Sequence, residues 1–306
     1  MYIFLAFLYF ERILSKLFLM SDHNKLNFKA ILIPIIISFI LLIIKAYGWI
    51  ITGSLSILSS LLDSTLDLII SLLNMVAIFY AAKPPDEDHR FGHNSIEDIV
   101  GLAQASFITA SGLFILYEAI HRFFVPTQII HHEAGILVMS ISLVASLIIV
   151  IYQKLVFKKT KSVIVESDMM HYLTDFLING AIIVSLLAMS KNRSSIIDPI
   201  LASIIAFYII YAAKNIGIKA FNALMDHELK PDEKLKIKTL IKSDPNIKGC
   251  HELKTRRSGS RIFIQLHIEL DHKLSLKAGH DIADKLEKRI QNLWEQTEII
   301  IHTDPV

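Results

Sequence analysis

The sequence predicts a membrane all-α bundle of six transmembrane helices, followed by a small α+β domain that lies in water. Of the 306 residues, 53% are hydrophobic and 20% charged, whereas a soluble domain carries about 25% charged residues. The charges are also unevenly placed, because 28 of the Lys, Arg, Asp and Glu residues lie in residues 228–306. The chain is therefore expected to occupy two solvents, lipid and water. This composition excludes a disordered chain, a collagen, a disulfide scaffold and a purely cytosolic enzyme.

Six segments have the length of about 20 mostly apolar residues that a bilayer-spanning helix needs. They lie at about 30–51, 55–80, 97–120, 134–156, 164–190 and 196–218. Short connections between them predict a compact bundle over residues 29–222. Residues 1–28 are an N-terminal extension whose basic residues follow its apolar run, unlike those of a signal peptide. An interfacial helix and a false start, with Met20 beginning the real chain, are both open explanations of this extension.

The Lys and Arg residues near the ends of the spans predict the orientation of the bundle. If both termini are cytoplasmic, twelve of these residues lie on the cytoplasmic side and three on the other side. We therefore expect cytoplasmic N and C termini. The net charge of +2 is too small and too mixed to predict a nucleic-acid partner.

The pattern of residues 223–306 predicts a small cytoplasmic α-β-β-α-β domain. The elements are expected at Asp232–Lys242 (helix), Ile262–Leu270 (strand), Leu276–Trp294 (helix) and Glu298–His302 (strand). A further strand must precede Ile262, joined to it by a hairpin across Ser258–Ser260.

Charged side chains inside the predicted spans are the exceptions that point to function, because each costs about 2.5–3.5 kcal/mol at a helix centre. Asp63 and Asp67 lie in the second span. His171 and Asp175 lie in the fifth. Both pairs have the i, i+4 spacing that puts two side chains on one face of a helix. Lys45, in the first span, is expected to extend toward an end of that span and not to neutralise them.

A divalent cation would neutralise the aspartates of the two spans. Three carboxylates and one imidazole form a ligand set that suits tetrahedral zinc and is acceptable to other first-row divalent metals. The competing explanation is helix packing, in which polar neighbours hold an intramembrane Asp; Ser60, Ser64, Asn74 and Asn179 are available for that role. Two matched pairs favour the functional explanation over packing.

A second group of residues follows the second span, in the loop from Lys83 to Asn94. Asp86, His89 and His93 are spaced so that a loop entering a helix could bring them round one ion. On spacing alone, solvated loop side chains explain this group better. His131 and His132 are expected to be loop surface for the same reason.

A third group lies in the predicted cytoplasmic domain. His267 points to the strand face opposite the apolar residues, so it is not an ordinary core histidine. His302 and Asp304 are two residues apart and share a face if the chain is extended, and His251 and His280 add two more imidazoles. Solvated surface and a metal site explain this group equally well.

In combination, these residues resemble the cation diffusion facilitator family, in particular its bacterial zinc- and iron-exporting members. The segments that carry the resemblance are Ser60-Leu-Leu-Asp63-Ser-Thr-Leu-Asp67, Asp86-x-x-His89-x-Phe-Gly-His93-x-x-x-Glu97, Met170-His171-Tyr-Leu-Thr-Asp175-x-x-x-Asn179-Gly and Ile300-Ile-His302-x-Asp304-Pro. They occur in the order of the family's motifs and cover roughly residues 25–306.

The resemblance implies a homodimeric metal efflux transporter of the cell (inner) membrane that exchanges its substrate for protons by alternating access. The substrate would be Zn²⁺ or Fe²⁺, with cadmium as a further candidate. The implied sites are a transport site of Asp63, Asp67, His171 and Asp175, a loop site of Asp86, His89 and His93, and a Zn²⁺-binding cytoplasmic site of His251, His267, His302 and Asp304, to which His280 is an additional candidate. His171 would also carry the proton, because its ordinary pKa lies nearest to the pH of the two compartments.

One position departs from the family. Its bacterial members usually carry a Lys after the last histidine of the loop motif, where it helps to tie the membrane helices to the dimer interface. Asn94 and Ser95 occupy these positions here, while Asp226 retains the acidic side of that interaction.

Two other functions compete with proton-coupled transport. A divalent-cation channel would use the same acidic residues without exchanging protons, and a membrane-tethered metal sensor would bind metal without transport. An enzyme is not expected, because the sequence has no nucleophile elbow, phosphate-binding glycine loop or kinase motif.

Overall fold

The structure is a computed structural model that describes residues 22–52, 55–124, 133–189, 197–294 and 296–306. Within these ranges the chain forms eight α-helices and three β-strands. They are α1 Asp22–Thr52, α2 Leu55–Ala81, α3 Ser95–Phe124, α4 Glu133–Thr160, α5 Val163–Met189, α6 Ile197–Leu224, α7 Pro231–Lys242, β1 Gly249–Ser258, β2 Arg261–Leu270, α8 Leu276–Gln291 and β3 Thr297–Pro305. The chain divides into two compact units, with the boundary between Ile218 and Lys219.

The first six helices are the membrane part of the chain. They are 27 to 31 residues long, and at 1.5 Å per residue even the shortest exceeds the hydrocarbon thickness of about 30 Å. Among the described residues, α1, α2, α3, α4 and α6 contain stretches that are long and apolar enough to cross a membrane. The helix α5 matches them in length but carries the acidic residues Glu166, Asp168 and Asp175 in its described part.

Helices α1, α3, α4 and α5 begin before the predicted spans because their ends pack against each other. For example, α1 begins at Asp22 instead of about residue 30, and its first turns bury Phe28 and Ile31 against Ala77 and Ile78 of α2. The outer surface of this unit is apolar: Ile50 is 74% exposed. Such exposure is expected of side chains that face lipid.

The second unit is a three-stranded sheet with two helices on one face. The strand order is β1-β2-β3. Strands β1 and β2 are antiparallel, and strands β2 and β3 are parallel. The apolar residues of β2 alternate as predicted, and Ile264 and Ile268 are buried against Ile241 of α7 and Leu286 of α8. The hairpin between β1 and β2 turns at Gly259, whose φ of 53° suits glycine.

Two element ends in this unit differ from the prediction. Strand β3 covers Thr297–Pro305 because it pairs with β2 over nearly the whole length of that strand. Helix α8 ends at Gln291, before Trp294, with Asn292 as its C-cap. The predicted fold class, a bundle of membrane helices followed by a small α+β domain, is confirmed.

Candidate metal sites

The first cluster of metal-ligand residues lies inside the membrane unit, between α2 and α5. His171 Nε2 lies 3.0 Å from Asp67 Oδ1 and 3.9 Å from Asp175 Oδ2. Donor atoms that each lie about 2 Å from one zinc ion are at most about 4 Å apart. One donor atom from each residue lies within 4.8 Å of the others, so these three side chains are close enough to share a divalent cation after a small adjustment.

Asp63 lies on α2, four residues before Asp67. Its side chain is outside the described part of the chain. The prediction that Asp63 is a fourth ligand therefore stays a prediction.

This cluster lines a cavity of about 510 Å³ between the membrane helices. Hydroxyl and amide groups line the cavity beside the cluster: Ser38, Ser111, Ser142, Ser146, Thr174 and Asn179. Its remaining walls are mostly apolar, with Phe107 and Phe114 among them. A cavity that polar groups and ligand residues line together can hold a partly hydrated cation.

Lys45 lies in the same cavity, and the prediction that it extends toward an end of its span is wrong. The residue is only 5% exposed, and its Nζ donates a hydrogen bond of 2.7 Å to Ser64 Oγ. Lys45 lies seven residues before the end of α1 at Thr52, which is about 10 Å along the helix axis. That distance is too great for the side chain to reach the end of the helix, so the ammonium group points inward to a hydroxyl.

Sequence reasoning missed a second buried carboxylate on α5, that of Asp168. The residue is fully buried, and its two oxygens accept hydrogen bonds from Asn74 Nδ2 at 2.7 Å and from Gln153 Nε2 at 2.5 Å. Gln104 donates in turn to Asn74. Asp168 is therefore held by amide groups of α2 and α4, as a buried carboxylate requires.

Asp168 gives only a weak signal in the sequence. It lies close to the start of the predicted span, where a carboxylate is usually solvated, and it has no acidic or histidine partner four residues away. The buried amides of Asn74, Gln104 and Gln153 are the signal that could have revealed it, because buried amides need partners. Of the polar neighbours available for helix packing, Asn74 holds a buried aspartate, Asp168, and Ser64 accepts a hydrogen bond from Lys45.

The second cluster lies in the loop between α2 and α3. Asp86 Oδ1 lies 3.1 Å from His89 Nδ1, and Asp86 Oδ2 lies 3.1 Å from His93 Nε2. His93 is buried, packs edge-on against Tyr80, and its Nδ1 has no hydrogen-bond partner among the residues that the structure describes. The backbone N–H of His89 donates to Asp86 Oδ1 at 2.7 Å, which lowers the pKa of the Asp86 carboxyl below its usual range.

The geometry of this loop bears on the choice between solvated side chains and a site. A merely solvated loop would leave its imidazoles in water, whereas here one of them is buried and aimed at a carboxylate. Asp86, His89 and His93 are close enough to hold one ion. That they do so stays a prediction.

The third cluster lies on the sheet of the second unit, and the strand register assembles it. His251 on β1 is opposite His267 on β2, and His267 is opposite His302 on β3. Asp304 is at the centre of the cluster: its Oδ2 lies 2.9 Å from His267 Nδ1 and 3.4 Å from His251 Nε2. Its Oδ1 lies 3.2 Å from His302 Nε2.

The contact with His267, together with the nearby imidazoles, holds the pKa of Asp304 below its usual range. The carboxylate is thus ready to bind a cation at neutral pH. Asp304 presents one oxygen toward His251 and His267 and the other toward His302. This arrangement suits a carboxylate that bridges two ions.

Two residues complete the description of this cluster. His280, the additional candidate ligand, lies on α8 with its Nε2 3.6 Å from Asp284 Oδ2, and it is not part of the three-residue group His251, His267 and Asp304. Sequence reasoning missed Glu269, whose Oε1 lies 3.3 Å from His251 Nδ1. A carboxylate on the outer nitrogen of a histidine commonly orients the other nitrogen toward a metal.

Asp226, the acidic residue retained from the family's helix-to-interface interaction, has a basic partner in its own unit. Arg256 Nη1 donates a hydrogen bond of 2.9 Å to Asp226 Oδ1. The guanidinium of Arg256 also lies over the ring of Phe263, 4.4 Å from its centroid. Asn94, the first of the two residues that replace the family's pattern after His93, is itself buried.

Comparisons with known proteins cover both units. Residues 31–225 match the family described as the cation efflux transmembrane domain. Residues 229–306 match the family described as the cation efflux protein, cytoplasmic domain.

Full-length relatives agree with these matches. Protein p34 of Rickettsia prowazekii (strain Madrid E) is 37% identical over 288 residues, which are 93% of this chain and 94% of that protein. The cation-efflux pump FieF of Pectobacterium carotovorum subsp. carotovorum (strain PC1) is 41% identical over 270 residues, which are 88% of this chain and 90% of that pump. Among solved structures, the metal-bound C-terminal domain of the CzcD transporter from Thermotoga maritima is 30% identical, covers 25% of this chain and 94% of that one, and has a TM-score of 0.24.

Proposed function

Because the chain belongs to the cation efflux family, we propose that this multi-pass membrane protein exports a divalent metal cation from the cytoplasm by exchanging it for protons. The observation that carries the proposal is the cluster of Asp67, His171 and Asp175 inside the membrane unit. Carboxylates and an imidazole in that position are costly unless they bind a cation or a proton.

The exchange of metal for protons follows from the position of His171 Nε2, where a metal ion and a proton compete for the same atom. This nitrogen lies between two carboxylates, at 3.0 Å from Asp67 Oδ1 and 3.9 Å from Asp175 Oδ2. It can hold either a metal ion or a proton, but not both, because metal ligands must be deprotonated. A metal ion that enters from the cytoplasm displaces the proton of His171, and protons that enter from the other side displace the metal. His171 and one aspartate thus carry protons in the direction opposite to the metal.

The direction of transport requires that the cavity open alternately to the two sides of the membrane. The imbalance of basic residues along the chain supports cytoplasmic termini. We place the protein in the cell (inner) membrane in this orientation, so that the loop cluster and the second unit both face the cytoplasm.

The second unit has a binding role of its own in this proposal. His251, His267, His302 and Asp304 would hold two Zn²⁺ ions bridged by Asp304, with His280 as an additional candidate ligand. The unit also matches the family's cytoplasmic domain, and we propose that it joins two copies of the chain in a homodimer. Metal bound there would link the cytosolic metal level to the stability of the dimer.

The ligand chemistry limits the substrate to a class of cations. Three carboxylates and one imidazole suit Zn²⁺, and they also suit Fe²⁺ and Cd²⁺. We propose zinc or ferrous iron as the substrate and cadmium as a further candidate.

Uptake into proteoliposomes tests the proposal. The purified protein is reconstituted, and the uptake of zinc, ferrous iron, manganese and cadmium is measured in competition, with and without a pH gradient. Metal flux that rises with the proton gradient supports exchange. Flux that ignores the gradient indicates a channel, and metal binding without flux indicates a sensor.

A further inference from the structure

We propose that Lys45 is a fixed counter-charge of the transport cavity, which weakens metal binding there enough for the metal to be released. The proposal rests on the proposed function, since it concerns the same cavity. Three observations carry it: the burial of Lys45, its contact with Ser64, and the balance of charges in the cavity.

The position of Lys45 is unusual for a lysine. Lysine is almost never fully buried unless it is paired, and in lipid the cost of burying an ammonium group is higher still. Lys45 is only 5% exposed, and its Nζ donates to Ser64 Oγ, which is itself buried. A buried ammonium group needs negative charge nearby, and the carboxylates that line the same cavity supply it.

The ligands of the metal cluster are close to this ammonium group. Ser64 lies on α2 three residues before Asp67, and residues three apart are neighbours on one face of a helix, about 5–6 Å apart at Cβ. The hydrogen bond of 2.7 Å between Lys45 and Ser64 therefore puts the ammonium group within about 10 Å of the Asp67 carboxylate. Both residues line the same cavity.

Lys45 offsets part of the negative charge of the cavity. Among the described residues that line it, the charged or titratable side chains other than tyrosine are Lys45, Asp67, His171 and Asp175. With the predicted ligand Asp63, the ligand set has three carboxylates, and the ammonium group of Lys45 lowers by one the net negative charge that a metal ion meets there.

The fixed positive charge affects release more than it affects selectivity. A transport site must bind its ion strongly enough to load and weakly enough to unload. A unit charge about 10 Å from the ion, at an effective dielectric constant near 20, changes the affinity by at least about tenfold. Lys45 lowers the affinity by this amount, and so it raises the rate at which the metal leaves.

Two substitutions separate this role from a structural one. Lys45→Gln removes the charge but keeps a donor for Ser64, whereas Lys45→Arg keeps the charge. Lys154→Met is the matched control, because Lys154 lies on the exposed surface of α4. Initial rates of zinc uptake driven by a pH gradient are measured in proteoliposomes over a range of zinc concentrations.

The expected result is a KM for zinc at least about tenfold lower in Lys45→Gln than in the wild type, with a lower maximal rate. Lys45→Arg and Lys154→Met should keep the wild-type KM to within about twofold. An unchanged or higher KM in Lys45→Gln, including a fall in maximal rate alone, would overturn the proposal and assign Lys45 a structural role. If the wild type takes up no zinc in response to the gradient, the proposed function itself fails.

Discussion

His171 on α5 lies 3.0 Å from Asp67 on α2, so that an imidazole and a carboxylate connect two membrane helices inside one cavity. In water such a pair contributes little, because the solvent screens it. Between membrane helices the surroundings screen the pair less, so the two groups interact more strongly. These atoms bind either a metal ion or a proton. Which of the two they bind therefore depends on how each reaches the cavity.

Asp168 should matter for the stability of the bundle. Asp168→Ala removes the acceptor of one N–H of Asn74 and of one N–H of Gln153, whose amide also donates to Ala30 O, and each unsatisfied buried donor costs about 1–3 kcal/mol. We expect a loss of about 2–5 kcal/mol in the free energy of unfolding, measured by thermal denaturation of the full chain in detergent micelles. Glu118→Ala is the control, because Glu118 is a half-exposed partner of Arg122 and should change stability by less than about 0.5 kcal/mol. Equal melting temperatures for the two variants would show that the amide contacts of Asp168 are not stabilising.

The loop cluster should bind one metal ion per chain. Replacing His93 by Ala removes the buried imidazole that lies 3.1 Å from Asp86 Oδ2 and should lower the number of zinc ions bound per chain by one, as counted by equilibrium dialysis of the full chain. Asp88→Asn changes an exposed acidic residue of the same loop and should leave the count unchanged. Equal counts for the wild type and the His93 variant would leave the loop as ordinary solvated surface.

Two substitutions in the second unit should weaken its zinc binding by different amounts. Asp304→Asn removes the carboxylate that contacts three histidines and should weaken zinc binding by more than about 100-fold, while Glu269→Gln only releases the outer nitrogen of His251 and should weaken it by about 10-fold. Isothermal titration of the full chain measures both. Glu298→Gln, an exposed residue of β3, is the control and should behave like the wild type. A Glu269 variant with wild-type affinity would mean that Glu269 does not orient His251.

The second unit should also become less stable in acid through Glu228. Lys234 donates to Glu228 Oε2 at 2.7 Å, and this contact lowers the pKa of the Glu228 carboxyl from its usual value of 4.5. The contact therefore stabilises the fold above about pH 4.5 and loses that effect as the pH falls through the lowered folded-state pKa. Because the pair is partly exposed, the contribution should be below about 1 kcal/mol.

A comparison of melting temperatures tests this effect. Glu228→Gln should lower the melting temperature of the second unit slightly at pH 7 and not at pH 3, followed by the fluorescence of Trp294. The same difference at both pH values would mean that the charge of Glu228 is not the cause.

Periodicity in the sequence predicts that His171 and Asp175 lie close together in the membrane unit. The i, i+4 spacing of His171 and Asp175 puts both side chains on one face of α5, because residues four apart lie on the same face of any α-helix. The apolar alternation of β2 predicts its buried face for the same reason. These features depend only on local geometry.

Features that depend on contacts between helices could not be predicted in the same way. The partners of Asp168 come from α2 and α4, and nothing in the sequence near Asp168 indicates them. Lys45 was wrongly expected to extend toward a span end, because hydropathy gives neither the depth of a residue nor the presence of a hydroxyl across the helix interface.

The cluster of the second unit depends on strand register, which the sequence leaves open. A β-bulge follows His251, where the register shifts before Lys254 and Glu252 has a φ of 48°. Bulges of this kind often re-aim side chains beside functional sites. The contact of His251 with Glu269 follows from the register that pairs His251 with His267, because Glu269 lies two residues from His267 on the same face of β2.

Zinc uptake by proteoliposomes containing the wild type or Asp67→Asn, driven by a pH gradient, tests the central claim most directly. This substitution preserves the size of the side chain while removing the charge that faces His171. The account predicts zinc uptake with a matching proton flux for the wild type and a rate at least about 100-fold lower for Asp67→Asn, since a transport ligand is lost. Asp22→Asn, which changes an exposed residue at the start of α1, should transport like the wild type. Wild-type rates from Asp67→Asn, or a wild-type flux that ignores the pH gradient, would contradict the account.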